Sequence, residues 1–212
     1  PEQQNTFGPY RQSERMPLYL EAWEYLKNMD LIYPCSKSRR SIKQAFKDRG
    51  NFKTEPIYPE DWRPSKIDYS EIKIPDGYNW RFRVPSNKKI SFEDACLGPC
   101  QFTSGKDFGD FLIWRKDGIP SYELAVVVDD IAMQISEIVR GEDLLISTSR
   151  QLLIYDAFGK TSPKFYHAPL VVDSKGIRLS KTQKSMALRE LKEAGYTPES
   201  LRKSDDWWSG LG

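Results

Sequence analysis

Apolar positions along the chain keep two different periods. Met16, Tyr19, Leu20, Trp23 and Leu26 stand at helical spacing, which predicts an amphipathic helix opened near Ser13 or Pro17. From Leu31 to about Gly105 the texture changes to many prolines, basic runs such as "SKSRRSIK", and short alternations such as Trp80, Phe82, Val84. That predicts an irregular, partly β region with basic edges. "FGDFLIWRKDGIPSY" predicts a hairpin turning at Lys116, Asp117 and Gly118. In "ELAVVVDDIAMQ" the valines favour a strand, whereas Leu124, Val127, Val128 and Ile131 keep helical spacing, and the spacing decides for a helix. "SEIVRG" reads as a short buried strand ending at Gly141. Thr148, with Gln151 three residues on, reads as a capping box opening a helix that stops at Gly159. "YHAPLVVD" supplies a further strand, and "SMALRELKEAG" a helix closed by Gly195.

Strand, helix, strand, helix in sequence is the α/β pattern of a layered parallel sheet. The 212 residues, 24.6 kDa, can bury a proper core in one or two domains. No apolar run approaches a spanning helix, mean hydropathy is -0.63, and "PEQQNTFGPY" has no signal-peptide character, so a soluble cytoplasmic protein without a membrane partner is expected. The chain opens without Met in loop composition, which is consistent with a piece of a longer protein. Cys35, Cys96 and Cys100 are odd in number and lack close CxxC spacing, so they read as reduced thiols. A net charge of +2 with 32 Lys+Arg residues permits a nucleic-acid partner without demanding one.

Taken singly, the chemical signals are weak. Ligands in open α/β sheets bind beyond the carboxyl ends of strands, where Arg140 falls just before Gly141. A guanidinium there suits a carboxylate ligand, but by itself reads first as a salt bridge to Glu142, Asp143, Asp129 or Asp130. Tyr122 could offer its hydroxyl to the same ligand or simply pack. His167, the sole histidine, reads as packing at its strand. Two thiols, Cys96 and Cys100, make no tetrahedral metal site. "GIRLSKTQKS", by itself, reads as a solvated basic loop, and phosphate-cradling glycine loops are absent.

In co-linear order, "PYRQSERMPLYLEAWEYLKNMDLIYPC", "GDFLIWRKDGIPSYELAVVVDD", "EIVRGEDLLISTSRQLLIYDAFG", "YHAPLVVDSKGIRLSK" and "ALRELKEAGYTPESL" resemble the glutamyl-tRNA synthetase group of class I aminoacyl-tRNA synthetases. Within that group the resemblance is to the short glutamyl-Q tRNA(Asp) synthetases, because little chain follows "TPESLRKSDDWW". It implies a class I Rossmann-like catalytic domain that activates L-glutamate with ATP and Mg²⁺. It implies further that glutamate passes to queuosine in tRNA(Asp), the alternatives being the 3′ end of tRNA(Glu) or a non-catalytic RNA-binding paralogue. "RLSKT" occupies the place of the family's KMSKS loop. Lys181 thus matches the catalytic lysine that steadies the ATP phosphates, with Arg178 and Ser180 shaping the ATP-binding loop. Tyr122 and Arg140 match glutamate-binding positions.

The resemblance also carries departures. The HIGH motif and the early acidic segment lie outside the chain, so the first strand-helix portion of the fold is expected to be missing. The family's zinc pattern is reduced to Cys35 and Tyr58, with Lys37 and Trp62 at the other two positions, so no zinc is expected. Gln134 stands where the paralogue usually has glycine, which is expected to shift the turn before "EIVRG". The expected organisation is 1-30, the rest of a first Rossmann half; 31-120, a mixed α/β insertion; 121-183, a second half with the "RLSKT" loop; and 184-212, a helical end. A monomer is expected, with tRNA and L-glutamate as partners, and Lys37, Arg39, Arg40 and Lys43 as candidate phosphate contacts.

Overall fold

The computed structural model describes residues 7–48, 56–65, 67–69, 71–170 and 188–203. A 3-10 turn, Gln12–Glu14, leads into α1, Met16–Asn28, with Pro17 in its first turn where no amide partner is needed. Tyr19, Ala22, Trp23 and Leu26 form its buried stripe. β1, Ile32–Cys35, precedes α2, Arg39–Asp48. This helix lies in the stretch read as irregular with basic edges. Its signals were the Ser38 hydroxyl accepting from the Ser41 amide, and Ile42 and Phe46 four apart, both buried.

β2, Asn79–Phe82, β3, Lys89–Asp94, β4, Gly98–Thr103, and β5, Leu112–Trp114, follow. Then come α3, Tyr122–Ala132, β6, Glu137–Gly141, α4, Leu145–Ala157, β7, Lys164–Ala168, α5, Leu188–Glu193, and α6, Pro198–Lys203. Two sheets result. One is antiparallel with order β1-β2-β5, and the other has order β4-β3-β7-β6. β6, α4 and β7 form a βαβ crossover with Ile138 opposite Phe165 and Arg140 opposite His167. Parallel pairing joins β7 to β3 at Asp94↔Phe165, while β3 and β4 are antiparallel. Residues 31-120 therefore contribute strands to both sheets.

The main core lies between α1, α3, α4 and the first sheet. Trp23 meets Trp80 edge to face at 4.9 Å, and Ile113, Leu124, Val127 and Ile154 close around them. Across this core Asp129 of α3 accepts from Arg15 at 2.6 Å and from Tyr19 at 2.8 and 2.9 Å.

Several expectations change. The hairpin at Lys116–Gly118 is short, with the bridge Trp114↔Pro120 and the Arg115 and Ser121 amides donating to the Ile119 and Ile113 carbonyls, and the other edge of β5 pairs with β2. β6 is an edge strand, not a buried one, and Val139 is 73% exposed. Thr148 and Gln151 do not cap α4. That helix starts at Leu145 after a 3-10 turn, which places both residues inside it. Gly159 does end it, at φ +61, with the Lys160 amide reaching back to the Tyr155 carbonyl. Gln134 holds φ +55, so the backbone keeps a glycine-like turn there without glycine. No helix of the described residues is long and apolar enough to cross a membrane.

Candidate active site

Arg140, the residue before the last of β6, is half-buried, and its guanidinium is spoken for on one side. Nε donates to Nε2 of His167 at 3.1 Å, and Nη2 donates to Oγ1 of Thr148 at 2.7 Å and to Oε1 of Gln151 at 2.9 Å. Its charge also sits 5.4 Å from the centre of the Phe165 ring. These acceptors are neutral. Nη1 has no hydrogen-bond partner among the described residues, so a donor edge is left for an acid. The room at Gly141 is not open to a ligand, since a Cβ there would stand 2.5 Å from the Asp143 carboxylate.

His167 is fully buried, and its Nδ1 lies 2.6 Å from Oδ2 of Asp94, on β3. The other oxygen of Asp94 accepts from the amides of Cys96, Leu97 and His167. Burial pushes this carboxyl up, but the bond from His167 and the three amides outweigh it and hold it at about 2. On the far side, Gln151 Nε2 donates to Glu123 at 2.9 Å, and Ser147 donates to the same carboxyl at 2.9 Å. Burial raises the Glu123 carboxyl above its ordinary range against the pull of Arg150, 3.6 Å away.

Glu123 is the second residue of α3, whose N-cap is Ser121, with Oγ accepting from the Leu124 amide. Beside it, half-exposed Tyr122 opens onto a cavity of about 630 Å³. Arg39, Lys43, Arg81 and Arg150 give its wall positive charge, against Asp110 and Glu123, and Tyr58 and Tyr122 give it aromatic faces. Arg140 does not line this cavity. Tyr122 and Arg140 are instead linked behind it, through Glu123 and Gln151. Arg178, Ser180 and Lys181 lie outside the described residues.

The four positions Cys35, Lys37, Tyr58 and Trp62 do come together. Cys35 Sγ lies 3.3 Å from the Tyr58 hydroxyl and accepts from the Lys37 amide at 3.4 Å. Lys37 Nζ stands over the Trp62 ring, and Tyr58 packs edge-on to Trp62 at 5.8 Å. This donor set does not fit zinc. An ammonium and an indole nitrogen offer no lone pair, and burial raises the Tyr58 phenol well above its usual range.

Sequence reasoning missed Asp94 and the polar role of His167. Thr148 and Gln151 carried a visible signal, an i, i+3 pair of polar residues, which marks the helix face toward Arg140 and not a cap.

The family described as "tRNA synthetases class I (E and Q), catalytic domain" matches residues 2–204. Glutamate--tRNA ligase 2 of Nitrosococcus oceani is 38% identical over 203 residues, covering 95% of this chain and 43% of that protein. Glutamate--tRNA ligase of Bacillus mycoides is 37% identical over 202 residues, covering 92% of this chain and 41% of that protein. Among solved structures, a glutamate tRNA ligase from Elizabethkingia meningosepticum in complex with its amino acid superposes with TM-score 0.66 at 25% identity, over 90% of this chain and 38% of that one. Glutamate-tRNA synthetase from Elizabethkingia anophelis superposes with TM-score 0.67 at 27% identity, over 90% and 39%. The chain thus spans well under half the length of these relatives.

Proposed function

Because the chain belongs to the catalytic-domain family of the class I glutamyl and glutaminyl tRNA synthetases, we propose that its protein activates L-glutamate with ATP and passes it to a hydroxyl of tRNA. In the first step the glutamate α-carboxylate attacks the α-phosphorus of ATP, and pyrophosphate leaves as glutamyl-adenylate forms. In the second, a tRNA hydroxyl attacks the acyl carbon, giving up its proton, and AMP leaves. The observation that carries this reading is the Nη1 edge of Arg140, without a hydrogen-bond partner among the described residues, a cation near the end of a parallel strand and suited to the side-chain carboxylate of glutamate.

Tyr122 would offer its hydroxyl from the head of α3. Lys181, with Arg178 and Ser180, would hold the ATP phosphates as charge moves onto them. Magnesium would enter on those phosphates. The basic wall of Arg39, Lys43, Arg81 and Arg150, with its two tyrosines, suits a strand of RNA laid along the cavity.

The acceptor is either queuosine in tRNA(Asp) or the 3′ end of tRNA(Glu), and the names of the relatives favour the second. The full-length protein is incubated with ATP, radiolabelled glutamate, and tRNA(Glu) or tRNA(Asp) with and without queuosine. Label on queuosine-bearing tRNA(Asp) alone supports the first acceptor, and label on tRNA(Glu) the second. Absence of label on any tRNA, with no glutamate-dependent pyrophosphate exchange, rejects the function.

A further inference from the structure

We propose that His167, fixed by Asp94 as the neutral tautomer with its proton on Nδ1, is a positioning residue that aims Arg140 at its carboxylate ligand. The inference rests on the reading of Arg140 as a glutamate-binding residue. It assigns a part in that site to β3, from a stretch that supplies none of the residues matched to glutamate.

An arginine Nε can only donate, so Nε2 of His167, 3.1 Å away, presents its lone pair, and the Thr148 hydroxyl, also 3.1 Å from Nε2, then stands as a second donor to it. The ring proton is then on Nδ1, facing Oδ2 of Asp94 at 2.6 Å. Asp94 is bound to this role by three backbone amides on its other oxygen, which favour the carboxylate and deny it a free rotation. Fixing the second nitrogen of an imidazole through a carboxylate on the first sets both tautomer and ring orientation. The consequence for Arg140 is geometric. With Nε held by His167 and Nη2 by Thr148 and Gln151, the guanidinium plane is fixed, and Nη1 is left without a partner among the described residues. His167 could not do this with its proton on Nε2, because two N–H groups would then face each other.

His167 is the only histidine in the sequence, so its ring gives a single set of imidazole nitrogen resonances. In ¹⁵N-labelled chain, long-range nitrogen-proton correlation spectra should show the Nδ1–H tautomer, and Asp94→Ala should give a mixture or the Nε2–H form. Affinity for L-glutamate is read by calorimetry in the full-length protein. His167→Leu removes the acceptor and should weaken binding about tenfold, the value of one charge-assisted hydrogen bond. His167→Gln returns an amide oxygen near the Nε2 position and should recover most of the loss. Circular dichroism spectra and melting temperatures screen for variants that fail to fold.

An Nε2–H tautomer in the unmodified chain overturns the proposal. So does His167→Leu binding glutamate as tightly as the unmodified protein, or His167→Gln binding no better than His167→Leu. Arg140→Ala is the control for the underlying reading. If it leaves glutamate affinity unchanged, or if the unmodified protein binds no glutamate, the reading of Arg140 fails and the positioning role falls with it, even where the tautomer is as expected. If Arg140→Ala loses affinity and His167→Leu does not, positioning alone is overturned.

Discussion

Nζ of Lys37 stands 4.9 Å from the centre of the Trp62 ring. A cation on an aromatic face here occupies two positions that the resemblance assigns to metal-binding side chains, with Cys35 and Tyr58 bonded alongside. The cluster is closed by a thiol, a phenol, an ammonium and an indole, and it needs no ion to satisfy them. Protein purified without chelator should carry well under one zinc per chain by elemental analysis, and EDTA should not move its melting temperature. Because the four positions converge, Lys37→Cys combined with Trp62→Cys should take up about one zinc. Stoichiometric zinc in the unmodified protein would contradict this account.

Asp129 gathers Arg15, Tyr19 and Gln12 at the junction of α1 and α3. Its removal leaves the Arg15 guanidinium buried beside no carboxylate. Asp129→Ala should cost about 3 to 5 kcal/mol in chemical denaturation. Asp129→Asn should cost less, because an amide oxygen still accepts from Tyr19.

Asp94 gives a pH dependence with a definite sign. Its folded value, about 2, lies below the ordinary 3.8, so folding favours the ionised form. That stabilisation is complete above the ordinary value and disappears as pH falls through about 2. The melting-temperature gap between the unmodified chain and Asp94→Asn should be constant from mildly basic to mildly acidic pH and close only in stronger acid. A gap that widens as acid is added would show that Asp94 is not held as a carboxylate.

Gln134 offers a test of backbone strain. Its φ of +55 is a conformation that side chains disfavour, by about 1 to 2 kcal/mol, while glycine loses about 0.5 to 1 kcal/mol more chain entropy on folding. Gln134→Gly should therefore raise stability by up to about 1.5 kcal/mol, read as a higher denaturant midpoint with an unchanged slope. A lower midpoint would mean the glutamine side chain makes a contact worth more than the strain.

For the proposed reaction, Arg140→Ala and Lys181→Ala should separate in steady-state kinetics of the full-length protein. Losing a charge-assisted contact to a bound carboxylate costs about 2 to 5 kcal/mol and should appear mainly as a raised KM for glutamate. Losing a contact that strengthens as phosphate charge develops should lower kcat with little change in that KM. Equal effects of both on KM alone would place Lys181 outside the chemistry.

The sequence by itself determined the elements whose period is long and unbroken. α1 and α3 are written in apolar spacing, and Gly159 marks a helix end that only a left-handed residue closes well, whereas the start of α4 and the burial of β6 were not legible locally. Arg140 and Tyr122 are candidates that the resemblance supplies from local strings, which need no distant partner to be read. Tertiary structure decided what depends on distant partners. That "LIW" also joins β2 is settled by pairing across more than thirty residues, and the exposure of β6 by which strand lies beside it. No local pattern marks Asp94 as the partner of His167, 73 residues away, since only the parallel meeting of β3 and β7 brings them together. Local strings fix backbone propensity and chemical type. The hydrogen bonds that orient Arg140 are fixed by packing, because each joins residues from different elements, and their geometry exists only once the sheet is assembled.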